Sequence, residues 1–559
     1  MRMPATIQDA VALCSHLDIQ YLWVDRLCIV QDDQAHKHSQ ITAMDQIYSS
    51  AILTICAAAG DDANAGLLGL EVSPRHFQQR QHFTSALEII PMLPAYEHFK
   101  LTKWASRGWT YQEQFLSKRI LLFTPWQIFF HCSKGALAEG LSDRWMPLMD
   151  QEDDCPSPPS NSDGERPDAD SDDRFASYME HVENYNHRSL TYPSDVHNAF
   201  AGIYKSLYRT LASSLASLPG PHLDRALLWT HAPSTPAATR QTTAAAAAAL
   251  PSWSWTHLST RVTYKTPPSS PLLDRNRLFG SLVAWRDATN TLLPPSPSLA
   301  SWTPPPPTLP SLVATWPNRL RRTGNLSGFS PALSRLYVDA AAALGCCRAE
   351  GAAARPRPRT WMAVQAASAR RWPGGHGEWW RDAVMAGAAG GEERDEGGWT
   401  EEALGPGRLG CRAGVAWVGV EEVGGWEDEL VLLRDGEGRA VGTAAVPGGL
   451  AALGGREEAR VFAAMALSVT DADGELLDRL FEADPGLGAV ERGRDGERTE
   501  ASPDVTVRDG EGVPLVPPPA LNVMMLGWRG EVAHRIAIGK VLLTRWAGAG
   551  PQFRNVVLE

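Results

Sequence analysis

The sequence predicts an α/β protein in which an N-terminal domain with a mostly parallel sheet flanked by helices precedes a helical segment and a β-rich C-terminal region. Three observations support this fold class. Helical and strand-like apolar patterns alternate over residues 6–58, which is typical of parallel sheets with helical crossovers. Helical spacing of apolar residues returns after residue 174. From residue 411 onward, apolar runs separated by glycine-containing turns indicate antiparallel strands.

The first four elements alternate between helix and strand. Apolar side chains at helical spacing predict a helix over residues 6–17, and a short apolar run predicts a strand over residues 21–24. The pattern then predicts a second helix over residues 34–48 and a second strand over residues 51–58. Such alternation over a short stretch needs crossover connections, so we expect the two strands to be parallel.

Polar residues follow both predicted strands. Functional groups in parallel α/β sheets gather beyond the carboxyl ends of the strands. This rule places Asp25, the loop of residues 26–33 and the loop of residues 60–64 on one candidate functional edge. Asp32 and Asp33 also stand directly before the second predicted helix, where a carboxylate caps the first turn. Helix capping and participation in a site are therefore alternative roles for these aspartates.

The most informative stretch covers residues 104–132, where aromatic, charged and apolar residues are dense. It predicts a helix over residues 107–118 that is followed by two strands. Glu113 falls on a packed face of this helix, where an ionised carboxylate needs a partner or a shifted pKa. Arg107 and Arg119 are the nearby candidates for that partner.

Three ordered blocks of the sequence match known motifs. The first block resembles the signature RxWTxQExxLSxRxLxF through Arg107, Trp109, Thr110, Gln112, Glu113, Leu116, Ser117, Arg119, Leu121 and Phe123. The second block, YLWVDRLCIVQDD, resembles YxWIDxLCIxQDD and contains Trp23, Asp25, Cys28, Gln31, Asp32 and Asp33. These motifs resemble those of the fungal heterokaryon incompatibility (HET) domain, and the third block, AAAGDDANAGLLG, resembles the segment that follows in these domains.

The resemblance also predicts that an element is missing at the start of the domain. HET domains normally begin some tens of residues earlier, with a strand and a YxxLSYxWG-like block, whereas here the first predicted helix follows Met1 within a few residues. A sheet without that strand exposes apolar surface and unpaired backbone groups. Either the sequence as given starts too late, or the chain is a truncated, inactive copy of the family.

Changes in composition divide the chain into five predicted regions. Residues 1–140 form the HET domain, and residues 141–173 form an acidic linker rich in proline and serine. Residues 174–290 form a helical region that contains a PSWSW motif. Residues 291–405 are of low complexity, and we expect weak order there. Residues 406–559 form a β-rich C-terminal domain, which we expect to pack with the PSWSW segment.

Bulk composition argues against several classes of function. The formal net charge is -12 and the sequence pI is near 5.7, values that do not suit a general nucleic-acid binder or a binder of anionic membranes. The eight cysteines include no CxxC pair, so we expect reduced thiols. We find no uninterrupted apolar run of about 18 residues, and we therefore expect no membrane span and a cytoplasmic location.

The usual catalytic motifs, including GxxxxGK[ST], HExxH and GxSxG, do not occur in the sequence. His36 and His38 fall on different faces of a helix, so we expect no metal site. HET domains resemble Toll/interleukin-1 receptor (TIR) domains remotely, and some TIR domains cleave NAD through one glutamate. This resemblance makes Glu113 the candidate catalytic residue, with NAD as a substrate and no cofactor. Alternatively, Glu113 has a structural role and forms a buried ion-pair network with Arg107 and Arg119.

The resemblance implies a role in fungal allorecognition, in which a HET domain triggers programmed cell death when genetically different cells fuse. Three hypotheses about its mechanism follow. The domain signals by assembly with an unknown protein partner or with itself. Alternatively, it cleaves NAD or another nucleotide, or it is the inactive copy. We expect no nucleic-acid partner on any of these hypotheses.

Overall fold

The computed structural model describes residues 3–70, 73, 81–84, 87–89, 102–139, 171–209, 214–232, 250–264, 280–281, 283–293, 402–424, 426, 429–452, 461–471, 474–483, 519–542, 545–546 and 549–559. Of the linker predicted over residues 141–173, residues 141–170 lie outside the described residues. The low-complexity region predicted over residues 291–405 lies outside them over residues 294–401. The chain divides into two compact units, one formed mainly by Met1–Ser217 and the other by Leu218–Thr239 with Thr243–Glu559. The five predicted domain limits stay predictions.

The first unit combines helices with short strands. Its helices are α1 (Ala5–His16), α2 (Asp25–Cys28), α3 (Gln34–Thr42), α4 (Met44–Ser50), α5 (Gly108–Leu116), α6 (Ser171–Tyr185) and α7 (Val196–Tyr208). Its strands are β1 (Thr54–Ala57), β2 (Gln81–Thr84), β3 (Leu87–Ile89), β4 (Arg119–Phe123), β5 (Ile128–Cys132), β6 (Gly135–Ala138) and β7 (Ser214–Leu215). A 3₁₀ turn, Pro193–Asp195, precedes α7. The helices predicted over residues 6–17 and 107–118 are confirmed as α1 and α5, with somewhat shorter bounds.

The single helix predicted over residues 34–48 is wrong, because two helices occupy this stretch. Asp33 caps α3, since its side chain accepts the backbone N–H of His36 at 3.0 Å, which confirms the predicted cap. The helix ends at Thr42, and Ala43 leaves the helical region of backbone angles with φ −94° and ψ 3°. Helix α4 begins at the next residue and packs on α5.

The N-terminal sheet contains the described strands in the order β1-β4-β5-β6. β1 and β4 are parallel, with Cys56 opposite Leu122, whereas β4, β5 and β6 are antiparallel neighbours. Residues 124–127 join β4 to β5, and so short a connection cannot cross over to a parallel strand. The predicted mostly parallel, TIR-like sheet is therefore not confirmed. The strand predicted over residues 21–24 is wrong, since these residues form no strand.

Alternating side chains of β1 and β4 build two small hydrophobic cores, one on each face of the sheet. On one face, Cys56 and Ile120 pack with Trp104. On the other face, Phe123 packs with Leu13 of α1. Every residue of β5 stays partly exposed, so this sheet is incompletely covered by the described residues.

Helices α6 and α7 pack with α5 through an aromatic core, which confirms the helices predicted after residue 174. The Tyr111 ring of α5 lies 5.8 Å from that of Tyr185, which in turn lies 5.2 Å from Phe200 of α7. The Tyr111 hydroxyl lies 2.7 Å from Nδ1 of His181, and burial lowers the pKa of this histidine to about 4. His181 is therefore neutral at physiological pH and belongs to the core.

The second unit is dominated by strands. Its helices are α8 (Leu223–Ala226), α9 (Gly449–Ala452) and α10 (Gly474–Ala483), with 3₁₀ turns at Gly220–His222 and Trp255–His257. Its strands are β8 (Leu218–Pro219), β9 (Trp229–His231), β10 (Val262–Tyr264), β11 (Gly280–Ser281), β12 (Ala284–Arg286), β13 (Leu409–Glu422), β14 (Leu430–Arg434), β15 (Ala440–Ala445), β16 (Val461–Asp471), β17 (Pro519–Arg529), β18 (Val532–Leu542) and β19 (Gln552–Leu558). These strands confirm the predicted β-rich C-terminal region.

Six long strands of the second unit close on themselves. The strand order is β13-β14-β15-β18-β17-β16, and β16 pairs again with β13, so β13 is paired along both edges. Gly438 (φ 80°) and Gly530 (φ 65°) adopt left-handed backbone angles in the β14–β15 and β17–β18 hairpins, as expected from the prediction of antiparallel strands with glycine-containing turns. Met465 and Met524 have no exposed surface, as expected for residues of a packed core.

The PSWSW segment packs with this closed sheet, as predicted. The backbone N–H of Ser252 donates to the carbonyl oxygen of Glu559 at 3.2 Å. The indole N–H of Trp253 donates to the carbonyl oxygen of Gly407 at 3.1 Å. Gly407 lies just before β13 and Glu559 just after β19, and the Ser252 hydroxyl oxygen also accepts the backbone N–H of Arg535 in β18 at 3.1 Å.

Arg535 of β18 is buried in the second unit at 8 % exposure. Its guanidinium donates hydrogen bonds to the carbonyl oxygens of Leu227, at 2.6 Å, and of Trp229. It also lies over the Trp229 ring, 3.5 Å from the centroid. Burial lowers the pKa of Arg535 to about 9, because a buried cation loses its hydration. This arginine joins β18 to the chain around β9.

Candidate functional site

The candidate site centres on the carboxylate of Glu113, which lies within α5 and is only partly exposed. The hydroxyl of Tyr48 and the indole N–H of Trp104 donate hydrogen bonds to this carboxylate. Arg107 and Asp25 are close enough to act on it through their charges. Residues from α2, α4, α5 and the segment before α5 therefore converge on one side chain.

Packing positions the two hydrogen-bond donors. Tyr48 comes from α4 and is 9 % exposed, and the ring of Trp23 meets it edge-on with centroids 6.1 Å apart. Trp104 is 7 % exposed and packs with Cys56 of β1. The carboxylate therefore lies among aromatic side chains that the α4 helix and the sheet hold in place.

The surroundings of Glu113 favour its protonated form. Burial raises the pKa of Glu113 to about 7, because a carboxylate removed from water is less stable when charged. The charge of Arg107 and the hydrogen bonds from Tyr48 and Trp104 act in the opposite direction, whereas the charge of Asp25 raises the pKa. Protonated and ionised Glu113 are therefore similarly populated at neutral pH.

Glu113 acts in turn on two neighbours. Burial and then the charge of Glu113 raise the pKa of Tyr48 well above its usual range. The same two causes raise the pKa of the Cys56 thiol. Tyr48 therefore remains a hydrogen-bond donor, and Cys56 remains a thiol rather than a reactive thiolate. Of these three groups, Glu113 is therefore the one that changes its protonation state near neutral pH.

The arrangement has the parts of an acid–base site. A carboxyl group whose pKa lies near the working pH can donate or accept a proton in a reaction. Asp25 is exposed at the start of α2 and supplies a second carboxylate nearby, and Arg107 is an exposed cation. Carboxylates bind hydroxyl groups and arginine binds phosphate, so a small sugar phosphate has suitable partners here.

Hydrogen bonds fix the start of α5. The hydroxyl of Thr110 lies 2.6 Å from the carbonyl oxygen of Trp104 and 2.8 Å from that of Arg107. The backbone N–H of Gly108 donates to the carbonyl oxygen of Ser189 at 2.7 Å. These bonds hold Trp104 and Arg107 in place relative to the helix that carries Glu113.

Two signature residues of α5 contact the region that follows the sheet instead of Glu113. The indole of Trp109 donates a hydrogen bond to the carboxylate of Asp195, just before α7. Gln112 is 2 % exposed and lies against Gly202 of α7, where the glycine leaves no Cβ in its way. Both residues therefore join α5 to the helical region.

The predicted ion-pair network of Arg107, Glu113 and Arg119 is wrong. Arg119 is exposed and donates to the carbonyl oxygen of Ile52 at 3.4 Å. Arg107 is also exposed, and it acts on Glu113 through its charge. The carboxylate is instead satisfied by the neutral donors Tyr48 and Trp104.

Two residues of the second block reach the Glu113 site. Asp25 acts on the carboxylate through its charge, and Trp23 contacts the ring of Tyr48. Gln31 donates to the carbonyl oxygens of Asp25 and Ile29, at 3.3 and 3.0 Å. The sulfur of Cys28, the last residue of α2, accepts the backbone N–H of Val24 at 3.4 Å. Cys28 and Gln31 therefore bond to nearby backbone, Asp33 caps α3, and Asp32 is exposed.

The described part of the chain contains no group of three or more His, Cys, Asp or Glu side chains that could hold a metal ion. His36 of α3 is bonded to the preceding loop, because its Nδ1 accepts the backbone N–H of Val30 at 3.2 Å. The described segments include no helix long and apolar enough to cross a membrane.

Sequence reasoning missed the two donors to Glu113. Tyr48 lies on the apolar face of a predicted helix, and its spacing does not show that the hydroxyl reaches another element. Trp104 opens the aromatic stretch of residues 104–132, which was a signal for packing but not for a hydrogen bond to a carboxylate. Both contacts depend on how the helices pack.

Comparison with known families assigns the segment that carries this site. Residues 1–113 match the family model described as heterokaryon incompatibility protein (HET), which confirms the resemblance seen in the three sequence blocks. No curated protein and no solved structure matches the chain. The matched segment includes Trp23, Tyr48 and Trp104 and ends at Glu113, so the site described above lies within it. The N-terminal part of this chain is therefore a HET domain.

Proposed function

We propose that this protein acts in heterokaryon incompatibility and that its HET domain triggers programmed cell death through assembly-dependent signalling. The family match over residues 1–113 supports a function of the incompatibility type. Cell death and assembly go beyond that match. The distribution of exposed apolar side chains supports the assembly step.

Large apolar side chains are exposed mainly in the HET domain. Eleven are exposed among the described residues, and the seven within the first 52 residues are Met3, Val11, Leu17, Tyr21, Leu27, Val30 and Ile52. Tyr21 is 82 % exposed and Ile52 is 67 % exposed. Single exposed apolar residues are common on protein surfaces, whereas a cluster of them marks a site that binds other proteins. The concentration of seven such residues in one domain supports a domain that signals by contact with a partner or with a second copy.

Sedimentation velocity of the full-length protein tests the assembly step, and viability after inducible expression in a fungal host tests the outcome. The test variant carries Tyr21→Ser, Leu27→Ser and Ile52→Ser. The control variant carries the same change at exposed apolar residues of the second unit, Leu292→Ser, Trp417→Ser and Val461→Ser. We expect the test variant to lose both assembly and cell death, and the control to keep both. Assembly and death that persist in a folded test variant would refute the proposal.

The state of Glu113 favours a second candidate function, cleavage of NAD or a related nucleotide. The pKa of about 7 gives a carboxyl group that exchanges a proton readily at neutral pH. Carboxylates in glycoside hydrolysis use this property and also stabilise the oxocarbenium-like transition state. Asp25 and Arg107 beside Glu113 offer partners for ribose hydroxyls and phosphate.

Total cellular NAD, followed over time after inducible expression, separates the two candidates. A fall in NAD before death that disappears in a folded Glu113→Gln variant supports cleavage. Death at constant NAD in both proteins supports signalling by assembly alone. Glu180→Gln, at an exposed glutamate on α6, is the matched control and should behave as the unmodified protein does.

A further inference from the structure

Helix α7 contacts the helix that carries Glu113. Gly202 of α7 lies against Gln112 and Leu116 of α5, and a Cβ at this glycine would lie only 2.7 Å from Cδ1 of Leu116. So close an approach leaves no room for α5 to shift toward α7. Helix α7 therefore limits the position of α5 on this side.

The next turn of α7 contacts the helix that carries Tyr48. The Lys205 ammonium donates to Oδ1 of Asp45 at 2.9 Å and to the carbonyl oxygen of Thr42 at 3.0 Å. Thr42 is the last residue of α3, where a cation is favourable, and Asp45 is in the first turn of α4, where an anion is favourable. Lys205 therefore binds the junction between α3 and α4.

Helices α4, α5 and α7 each contact the other two. Helix α7 holds α5 through Gly202 and holds α4 through Lys205, and α4 and α5 meet in the hydrogen bond from Tyr48 to Glu113. Asp45 and Tyr48 are three residues apart on α4, which places both on the same side of that helix. Loss of the Lys205 contact to α4 would therefore leave α4 without one of the bonds that hold it beside α5.

We propose that Lys205 is a positioning residue, which holds α4 against α5 so that the Tyr48 hydroxyl donates to the Glu113 carboxylate. This inference deepens the second candidate function, on which it rests, because it assigns control of the Glu113 site to the helical region after the HET match. Lys205 is more than 90 residues beyond Glu113 in the chain and outside the segment that matches the family.

The sign of the effect on Glu113 distinguishes positioning from direct electrostatics. The Tyr48 hydrogen bond stabilises the ionised carboxylate, so a displaced Tyr48 raises the pKa of Glu113. Lys205→Met and Asp45→Asn both break the ion pair and should therefore both raise it. If the two residues acted on Glu113 only through their charges, removal of the Lys205 cation would raise this pKa, whereas removal of the Asp45 anion would lower it.

The experiment is an NMR titration of the full-length protein with ¹³C-labelled glutamate side chains, in which Glu113→Gln identifies the Glu113 signal. We expect Lys205→Met and Asp45→Asn each to raise the Glu113 pKa by about half a unit or more. In a Tyr48→Phe background, neither change should have this effect, because the hydrogen bond is already lost. Lys134→Met, at an exposed residue in the turn between β5 and β6, is the control and should leave the titration unchanged.

Two results would overturn the inference: opposite shifts for the two variants, or equal shifts with and without the Tyr48 hydroxyl. Both partners of the pair are partly exposed, so each variant should fold, which circular dichroism checks. The titration reports on the position of Tyr48 and does not depend on cell death or NAD. Failure of the proposed function would therefore leave this test intact.

Discussion

Replacing Glu113 with glutamine is predicted to stabilise the folded protein above neutral pH. Glutamine has the shape of the protonated glutamate, and its carbonyl oxygen can accept the hydrogen bonds of Tyr48 and Trp104. The variant therefore keeps the packing of the site and removes only the partly buried charge. The unmodified protein must ionise this carboxyl group against its surroundings, since burial is the largest cause of its raised pKa.

The size of the effect follows from the pKa of Glu113, which is about 7 in the folded protein against the ordinary value of 4.5. This difference corresponds to at most about 3 kcal/mol of unfolding free energy. Because Glu113 is partly exposed, we expect about 1–2 kcal/mol. The folded pKa is raised, so the contribution of the protonated group is fully present below pH 4.5 and is lost as the pH rises through about 7.

Thermal unfolding at low and high pH measures the prediction. At about pH 4.5 the two proteins should be equally stable, and at about pH 8 Glu113→Gln should unfold about 2–6 °C higher. The control is Glu180→Gln on α6, which removes an exposed carboxylate and should show no such crossover. A variant that is less stable than the unmodified protein at high pH would refute the reasoning. That outcome would indicate an ionised Glu113 paired with Arg107, whose loss costs about 3–5 kcal/mol.

Two further predictions concern other buried groups. Burial lowers the pKa of His181 to about 4, so the unfolding free energy of the unmodified protein should fall by up to about 3 kcal/mol as the pH drops from 6.5 through 4. Urea unfolding over this pH range should show a smaller loss for His181→Gln. Arg535→Met leaves the carbonyl oxygens of Leu227 and Trp229 without their donor and should cost about 2–4 kcal/mol of unfolding free energy. Arg554→Met, at an exposed arginine of β19, should leave the melting temperature unchanged, and equal melting of both arginine variants would contradict the role of Arg535.

Local patterns predicted the elements that local interactions determine. Apolar spacing identified α1 and α5, and the Asp33 carboxylate before α3 identified its cap. The glycines at 438 and 530 marked two hairpin turns, since only a few residue types adopt their backbone angles without strain. In each case, the determining residues lie within one or two turns of the element, so the sequence alone carries the information.

Strand pairing and the surroundings of Glu113 could not be predicted in the same way. The alternation of helix and strand over residues 6–58 suggested a parallel sheet. However, β5 pairs antiparallel with β4 and with β6, and residues 21–24 form no strand. Pairing is decided by contacts between distant segments, and an apolar run does not specify its partner. Likewise, Glu113 was predicted to need a partner, but its donor Tyr48 lies 65 positions earlier in the chain.

The packing of α5 also bears on which part of the chain can act as a unit. The family match ends at Glu113, but the opposite side of α5 is covered by α6 and α7, where Tyr111 is 1 % exposed and Phe115 is 4 % exposed. A fragment that ends at residue 140 would expose both rings and would lose the Lys205 contact to α4. Exposing two large aromatic side chains costs several kcal/mol, which is a large fraction of the stability of a small domain. The Glu113 site therefore depends on α6 and α7 as much as on the signature sequence that identifies it.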